Sequence, residues 1–208
     1  MIYALAIFFL YIPIFLFFPT KVIHKKRLPK GKMIVTSNHY SNLDPLVLIV
    51  RFNRHFRFLG KKELFKTKFL SFIMNGLGVI SVDRDSMSPS TYKEIMANLK
   101  MDKQIFIFPE GTRNKAEDDN LQDVKNGIIT FASKGESEII PMIIHRKPKM
   151  FRKNYIIVGE SIKIEGENPK RLTKEEQEAN LNRYVEAMNN LREELDEYLG
   201  NKKRKNKK

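Results

Sequence analysis

Apolar and polar positions divide the chain into three zones. Residues 1–19, MIYALAIFFLYIPIFLFFP, carry no charged side chain. From about residue 32 to residue 159, short runs rich in Ile, Val and Phe alternate with longer mixed stretches. Beyond residue 173 one apolar stripe recurs at helical spacing. The short runs predict strands at 32–36, 55–59, 79–82, 104–108, 139–144 and 155–159. Helices are predicted between them at 45–52, 63–75, 89–100 and 125–133, the third opened by Ser88 as cap and Pro89 as first helical residue. Strands and helices in alternation imply an α/β domain with a mixed, largely parallel sheet flanked by helices. In the last zone Thr173 and Glu176 form a capping-box pattern. Leu181, Val185, Met188, Leu191, Leu195 and Leu199 share one face, which reads as core packing. Gly200 is the expected stop, and the six basic residues of 201–208 predict a disordered tail.

The first zone changes the picture most. At 1.5 Å per residue, 19 residues roughly match a hydrocarbon core of ~30 Å, with Pro13 as a kink. A cleaved signal peptide fits poorly, since no Lys or Arg precedes the run and no small-residue cleavage pattern follows it. Lys21, His24, Lys25, Lys26, Arg27, Lys30 and Lys32 follow instead, and basic flanks mark the cytoplasmic side. The expectation is therefore a membrane segment over 1–20, either a transmembrane helix or one dipping into a single leaflet. A compact domain over 21–200 would then sit on the cytoplasmic face, with the tail at 201–208. The alternative, a buried core helix, must accommodate Phe8, Phe9, Phe15, Phe17 and Phe18, which leave no polar face.

Net charge is +14, which calls for an anionic partner: a membrane surface, a phosphorylated substrate or nucleic acid. The absence of Cys excludes disulfides and thiolate chemistry. Four His remain, not grouped at metal-ligand spacing, so no metal is expected.

The candidate chemistry starts at Asn38-His39-Tyr40-Ser41-Asn42-Leu43-Asp44-Pro45. His39 and Asp44 lie five positions apart after an apolar run. A carboxylate near an imidazole fixes its tautomer and stabilises its cation, making the other nitrogen a competent general base. Two loop residues without chemistry are the alternative. A second group, Phe108-Pro109-Glu110-Gly111-Thr112-Arg113, follows a predicted strand, where ligands gather in open α/β sheets. Gly111 permits close backbone approach, Thr112 offers a hydroxyl, Arg113 suits phosphate, and Glu110 suits Arg113 or a substrate hydroxyl. A polar turn with a local ion pair is the alternative. Arg84 ends a third block, Gly78-Val79-Ile80-Ser81-Val82-Asp83-Arg84, as a second phosphate ligand or a surface residue paired with Asp83 or Asp85. Pro141 marks a fourth, apolar strand.

In this order the four blocks resemble the glycerolipid acyltransferase family, best known for its 1-acylglycerol-3-phosphate acyltransferases. They match its Asn-His-x4-Asp, Gly-x-Ile-x-Val-x-Arg, Phe-Pro-Glu-Gly-Thr-Arg and Ile-Pro blocks. The segment Gly60-Lys61-Lys62-Glu63-Leu64-Phe65 looks like the family's Lys-Glu-Leu helix start. Where members often show Phe-Lys-x-Gly, this chain has Val124-Lys125-Asn126-Gly127. The resemblance implies acyl transfer from a thioester of acyl carrier protein or coenzyme A to lysophosphatidic acid. His39 would be the base and Asp44 its partner, with Arg84, Glu110, Gly111, Thr112 and Arg113 around the acceptor. Neither cofactor nor nucleic acid is then expected, while anionic lipids are. Another lysophospholipid or glycerol 3-phosphate is the alternative acceptor. A non-catalytic basic membrane-binding protein is the alternative of another class, though one that has no use for His39 and Asp44 at a strand end.

Overall fold

The computed structural model describes residues 2–83, 87–114 and 124–205. Among the described residues seven strands form one sheet: β1 (Thr20–Ile23), β2 (Met33–Ser37), β3 (Arg57–Lys61), β4 (Ile80–Val82), β5 (Gln104–Ile107), β6 (Ile139–Ile144) and β7 (Asn154–Val158). Their order is β1-β7-β6-β2-β5-β3-β4. All neighbours run parallel except β6 and β7, so the sheet is mixed and mostly parallel. β2 lies at its centre, with Val35 opposite both Phe106 and Ile140.

Alternation along the strands feeds two cores. Val35, Phe106, Ile140, Met142 and Ile156 pack with α1 (Ile2–Phe17) and α2 (Asp44–Phe52). Ile34, Ile105, Ile107, Ile139 and Ile157 face α4 (Pro89–Lys100), α5 (Gly127–Gly135) and α6 (Lys174–Lys205). Both faces of a parallel sheet being covered, its strands read as continuous apolar runs. Between β3 and β4 the chain makes a 3₁₀ turn at Lys62–Phe65 and then α3 (Lys68–Leu77). One helix was expected over 63–75. Thr67 divides it, its hydroxyl accepting the Leu70 amide proton at 3.2 Å as an N-cap. Pro141, expected in an apolar strand, lies inside β6, which is an inner strand. The β7 ladder opens only at Met142.

The expected transmembrane helix is not found: no helix among the described residues is long and apolar enough to cross a membrane. The 16 residues of α1 rise about 24 Å, and the run ends early because Thr20 enters the sheet as β1. Ile14 and Phe18 are buried, while Phe8, Phe9, Ile12 and Leu16 stand exposed. Arg51 of α2 donates to the carbonyls of Phe15 and Phe18 at 3.0 and 2.8 Å and lies over the Phe15 ring. A cation thus caps the carbonyl end of α1.

Gly200 does not stop α6. The helical backbone runs on to Lys205, and no left-handed residue intervenes. Helical backbone is described as far as Lys205, and residues 206–208 of the expected tail lie outside the described residues. The capping box at its start is present: Thr173 accepts from the Glu176 amide at 3.2 Å and its own amide donates to Glu176 at 2.8 Å.

Candidate active site

β2, β3, β4, β5 and β6 are parallel, so their carboxyl ends share one edge of the sheet. His39 follows β2 and the Glu110–Arg113 turn follows the adjacent β5, which brings the two predicted blocks together at that edge.

Asn38 releases the chain from β2. Its side-chain amide donates to the Ile144 carbonyl at 2.9 Å and accepts from the Ile144 amide at 2.8 Å. A side chain thus takes over the backbone's pairing with β6, and the main chain is free to turn and present His39. The His39 carbonyl accepts the Asn114 amide proton at 2.7 Å, so the loop beyond Arg113 returns to hold the same residue.

His39 Nδ1 lies 2.8 Å from Asp44 Oδ2. The same oxygen accepts the amide protons of Tyr40 and Ser41, both at 2.7 Å. Asp44 is fully buried (0% exposed) and His39 is 8% exposed. A carboxylate oxygen that faces three donors, at the first residue of α2, is fixed as an acceptor. Nδ1 therefore carries the proton, and Nε2 is left as the basic nitrogen. Phe108, at the end of β5, stacks on the imidazole with ring centroids 4.0 Å apart. Its part in the site was not read from the sequence, although it opens the Phe-Pro-Glu-Gly-Thr-Arg block.

Gly111 adopts φ +68°, and a Cβ there would lie 3.1 Å from Cε and 3.4 Å from Nζ of Lys125. Only glycine takes this conformation freely, and the absent side chain lets Lys125 lie across the turn. Lys125 is a further cation at this edge, one whose place here leaves no mark in the sequence. The Gly111 amide donates to the Phe108 carbonyl at 3.0 Å, so it closes the turn rather than facing a reacting carbonyl. Thr112 and Arg113 are exposed, and Glu110 is buried at 5%. Beneath the edge Tyr184 donates to Thr36 at 3.0 Å. Burial, with the Glu110 carboxylate adding to it, pushes its phenol well above the ordinary range, so the hydroxyl stays a donor. Arg84 lies outside the described residues, two positions beyond the end of β4. A cavity of about 420 Å³ between α5 and the chain at Lys163–Lys170 sits at the amino end of β6, away from His39.

Residues 19–145 match the Acyltransferase family, a stretch that includes β1 through β6 and every residue named at this edge except Tyr184. The chain belongs to that family. Among relatives, it is 33% identical over 129 residues to the 1-acyl-sn-glycerol-3-phosphate acyltransferase of Borreliella burgdorferi, covering 61% of this chain and 51% of that protein. It is 31% identical over 125 residues to the Bacillus subtilis protein of the same name, covering 58% and 60%. This acyltransferase-family chain thus spans about half the length of the curated relatives it matches. The crystal structure of the 1-acyl-sn-glycerophosphate acyltransferase PlsC from Thermotoga maritima superposes with a TM-score of 0.62 at 26% identity, covering 86% of this chain and 71% of that one.

Proposed function

We propose that the chain is a membrane-associated acyltransferase that moves an acyl group from a thioester to the free hydroxyl of 1-acylglycerol 3-phosphate, giving phosphatidic acid for phospholipid synthesis. The observation that carries this is the His39–Asp44 pair at 2.8 Å, standing beside the Gly111–Arg113 turn. The names of the relatives supply the acceptor.

In this reading His39 Nε2 removes the acceptor's hydroxyl proton as the oxygen attacks the thioester carbonyl. The new C–O bond forms, the C–S bond breaks, and the imidazolium returns its proton to the thiolate. Asp44 stabilises the cation meanwhile. General-base help of this kind contributes roughly 10²–10⁴-fold. Arg113, Arg84 and Thr112 hold the acceptor phosphate, with Glu110 and Gly111 shaping the turn around it, and such placement lowers the barrier by several kcal/mol. The donor is acyl carrier protein or coenzyme A thioester, and no bound cofactor is required.

The lipid acceptor calls for an enzyme seated on the bilayer. Exposed Phe8, Phe9, Ile12 and Leu16 of α1 and Phe69 and Phe72 of α3 belong to two helices in mutual contact. Together they suit insertion into one leaflet of the cytoplasmic face, with anionic headgroups drawn to the basic surface.

The test is transfer of a radiolabelled acyl chain by the full chain in membranes, offered both donor types and a panel of lyso-acceptors with glycerol 3-phosphate. Phosphatidic acid as the main product supports the reading. Another product would move the acceptor to that lipid, and no product with any pair would leave a non-catalytic binder.

A further inference from the structure

The turn between β6 and β7 carries an arrangement that neither folding nor catalysis explains. It leaves β6 at Ile144, the residue paired with Asn38 beside His39, so it stands at the active-site edge. At its tip Met150 is 52% and Phe151 74% exposed. Phe151 adopts φ +55°, a region that bulky residues seldom enter and that persists only when the surroundings hold it. Here they do. The Phe151 amide donates to the Phe17 carbonyl at 2.7 Å. The Asn154 side chain accepts from the Lys149 amide at 3.2 Å and donates to the Arg152 carbonyl at 2.9 Å. A strained backbone is thus maintained in a form that turns an aromatic ring outward.

Two further features say what meets that ring. Phe151 packs edge-on against Phe17, centroids 5.4 Å apart, so it continues the exposed apolar face of α1. Lys147, Lys149, Arg152 and Lys153 flank the tip, all exposed. None of the four forms an ion pair among the described residues, and no acidic residue occurs from 145 to 159. An apolar tip ringed by cations matches the boundary between acyl chains and anionic headgroups.

We infer that the β6–β7 turn is a second membrane anchor, with Met150 and Phe151 inserted among the lipids of an anionic bilayer and the four flanking cations on its headgroups. It adds a third point to the contact made by α1 and α3 and fixes the tilt of the edge that bears His39. The inference rests on the lipid-acceptor reading for its purpose, but its test needs no acyl donor, so the two stand or fall separately.

The chain has no Trp, so Phe151→Trp in the full chain is a single fluorescent reporter. With phosphatidylglycerol–phosphatidylcholine vesicles its emission shifts to the blue and is quenched by bromines on the upper acyl chain. Emission unchanged in protein that floats with the vesicles overturns the inference, as does a shift seen only with an acidic acyl carrier protein. Changing Lys147, Lys149, Arg152 and Lys153 to Gln, with the fold checked by circular dichroism, weakens binding to these vesicles at least about tenfold. Each surface cation is worth roughly fivefold. Binding to pure phosphatidylcholine stays as it was, and equal affinity for the anionic vesicles overturns the inference.

Discussion

Phe108 lies flat against the His39 imidazole, ring centroids 4.0 Å apart and planes 20° from parallel. β2 and β5 are neighbours, so the residues just beyond their carboxyl ends meet at the edge of the sheet. The stack holds the imidazole in the plane that Asp44 reaches, and an aromatic face attracts the ring once it is protonated. Replacing Phe108 with Leu keeps apolar bulk and removes that face. The expected result is a kcat lower by roughly 2–30-fold, equivalent to about 0.5–2 kcal/mol, with the acceptor KM little changed. Steady-state rates over an acceptor titration check it; an unchanged kcat would reduce Phe108 to packing.

Asp44→Asn keeps the size of the side chain and removes its charge. One oxygen now holds His39 Nδ1 and the amides of Tyr40 and Ser41, and a neutral amide neither fixes the tautomer nor offsets the imidazolium. We expect kcat to fall on the order of 10²-fold or more while the protein still binds vesicles. Rates near the unsubstituted protein's would deny Asp44 its part in catalysis.

Asn38→Ala removes both hydrogen bonds to Ile144 and leaves a buried amide and carbonyl without partners. The cost is about 1–3 kcal/mol of stability, read as a lower midpoint in urea. Acyl transfer should fall more than the loss of folded protein explains, because His39 is displaced with the turn. A variant with unchanged stability would show that the Asn38 side chain does not hold β2 to β6.

At Gly111, alanine meets a left-handed backbone (φ +68°) and the Lys125 side chain at 3.1 Å. Backbone strain of roughly 1–2 kcal/mol lowers the melting temperature by a few degrees, and the displaced Lys125 lowers transfer as well. Calorimetry beside the activity assay separates the two effects. A melting temperature equal to that of the unsubstituted protein would mean the turn relaxes freely.

The inner strands were legible because a parallel strand covered on both faces is a continuous apolar run, and β6 was read to the residue. β1 was not, since Thr20 and Lys21 look like the start of a basic flank. The pairing of β1 with β7, some 130 residues on, leaves no local mark. Local spacing explains why the His39–Asp44 pair could be read, five residues apart. Distance explains why the role of Asn38 could not: its partner is 106 residues away. The place of Arg51 on the end of α1 leaves no mark in the sequence either, because the carbonyls it meets exist only once that helix has docked. Gly200 misled as a stop because nothing within 4 Å constrains it and its helical conformation is merely less favourable than alanine's.

We propose that His39 is the base of an acyl transfer and not a packing residue. His39→Ala in the full chain, assayed for transfer to 1-acylglycerol 3-phosphate and in parallel for flotation with anionic vesicles, tests it most directly. Full flotation is expected, with transfer reduced by at least about 10²-fold; transfer at the unsubstituted rate would make His39 a packing residue.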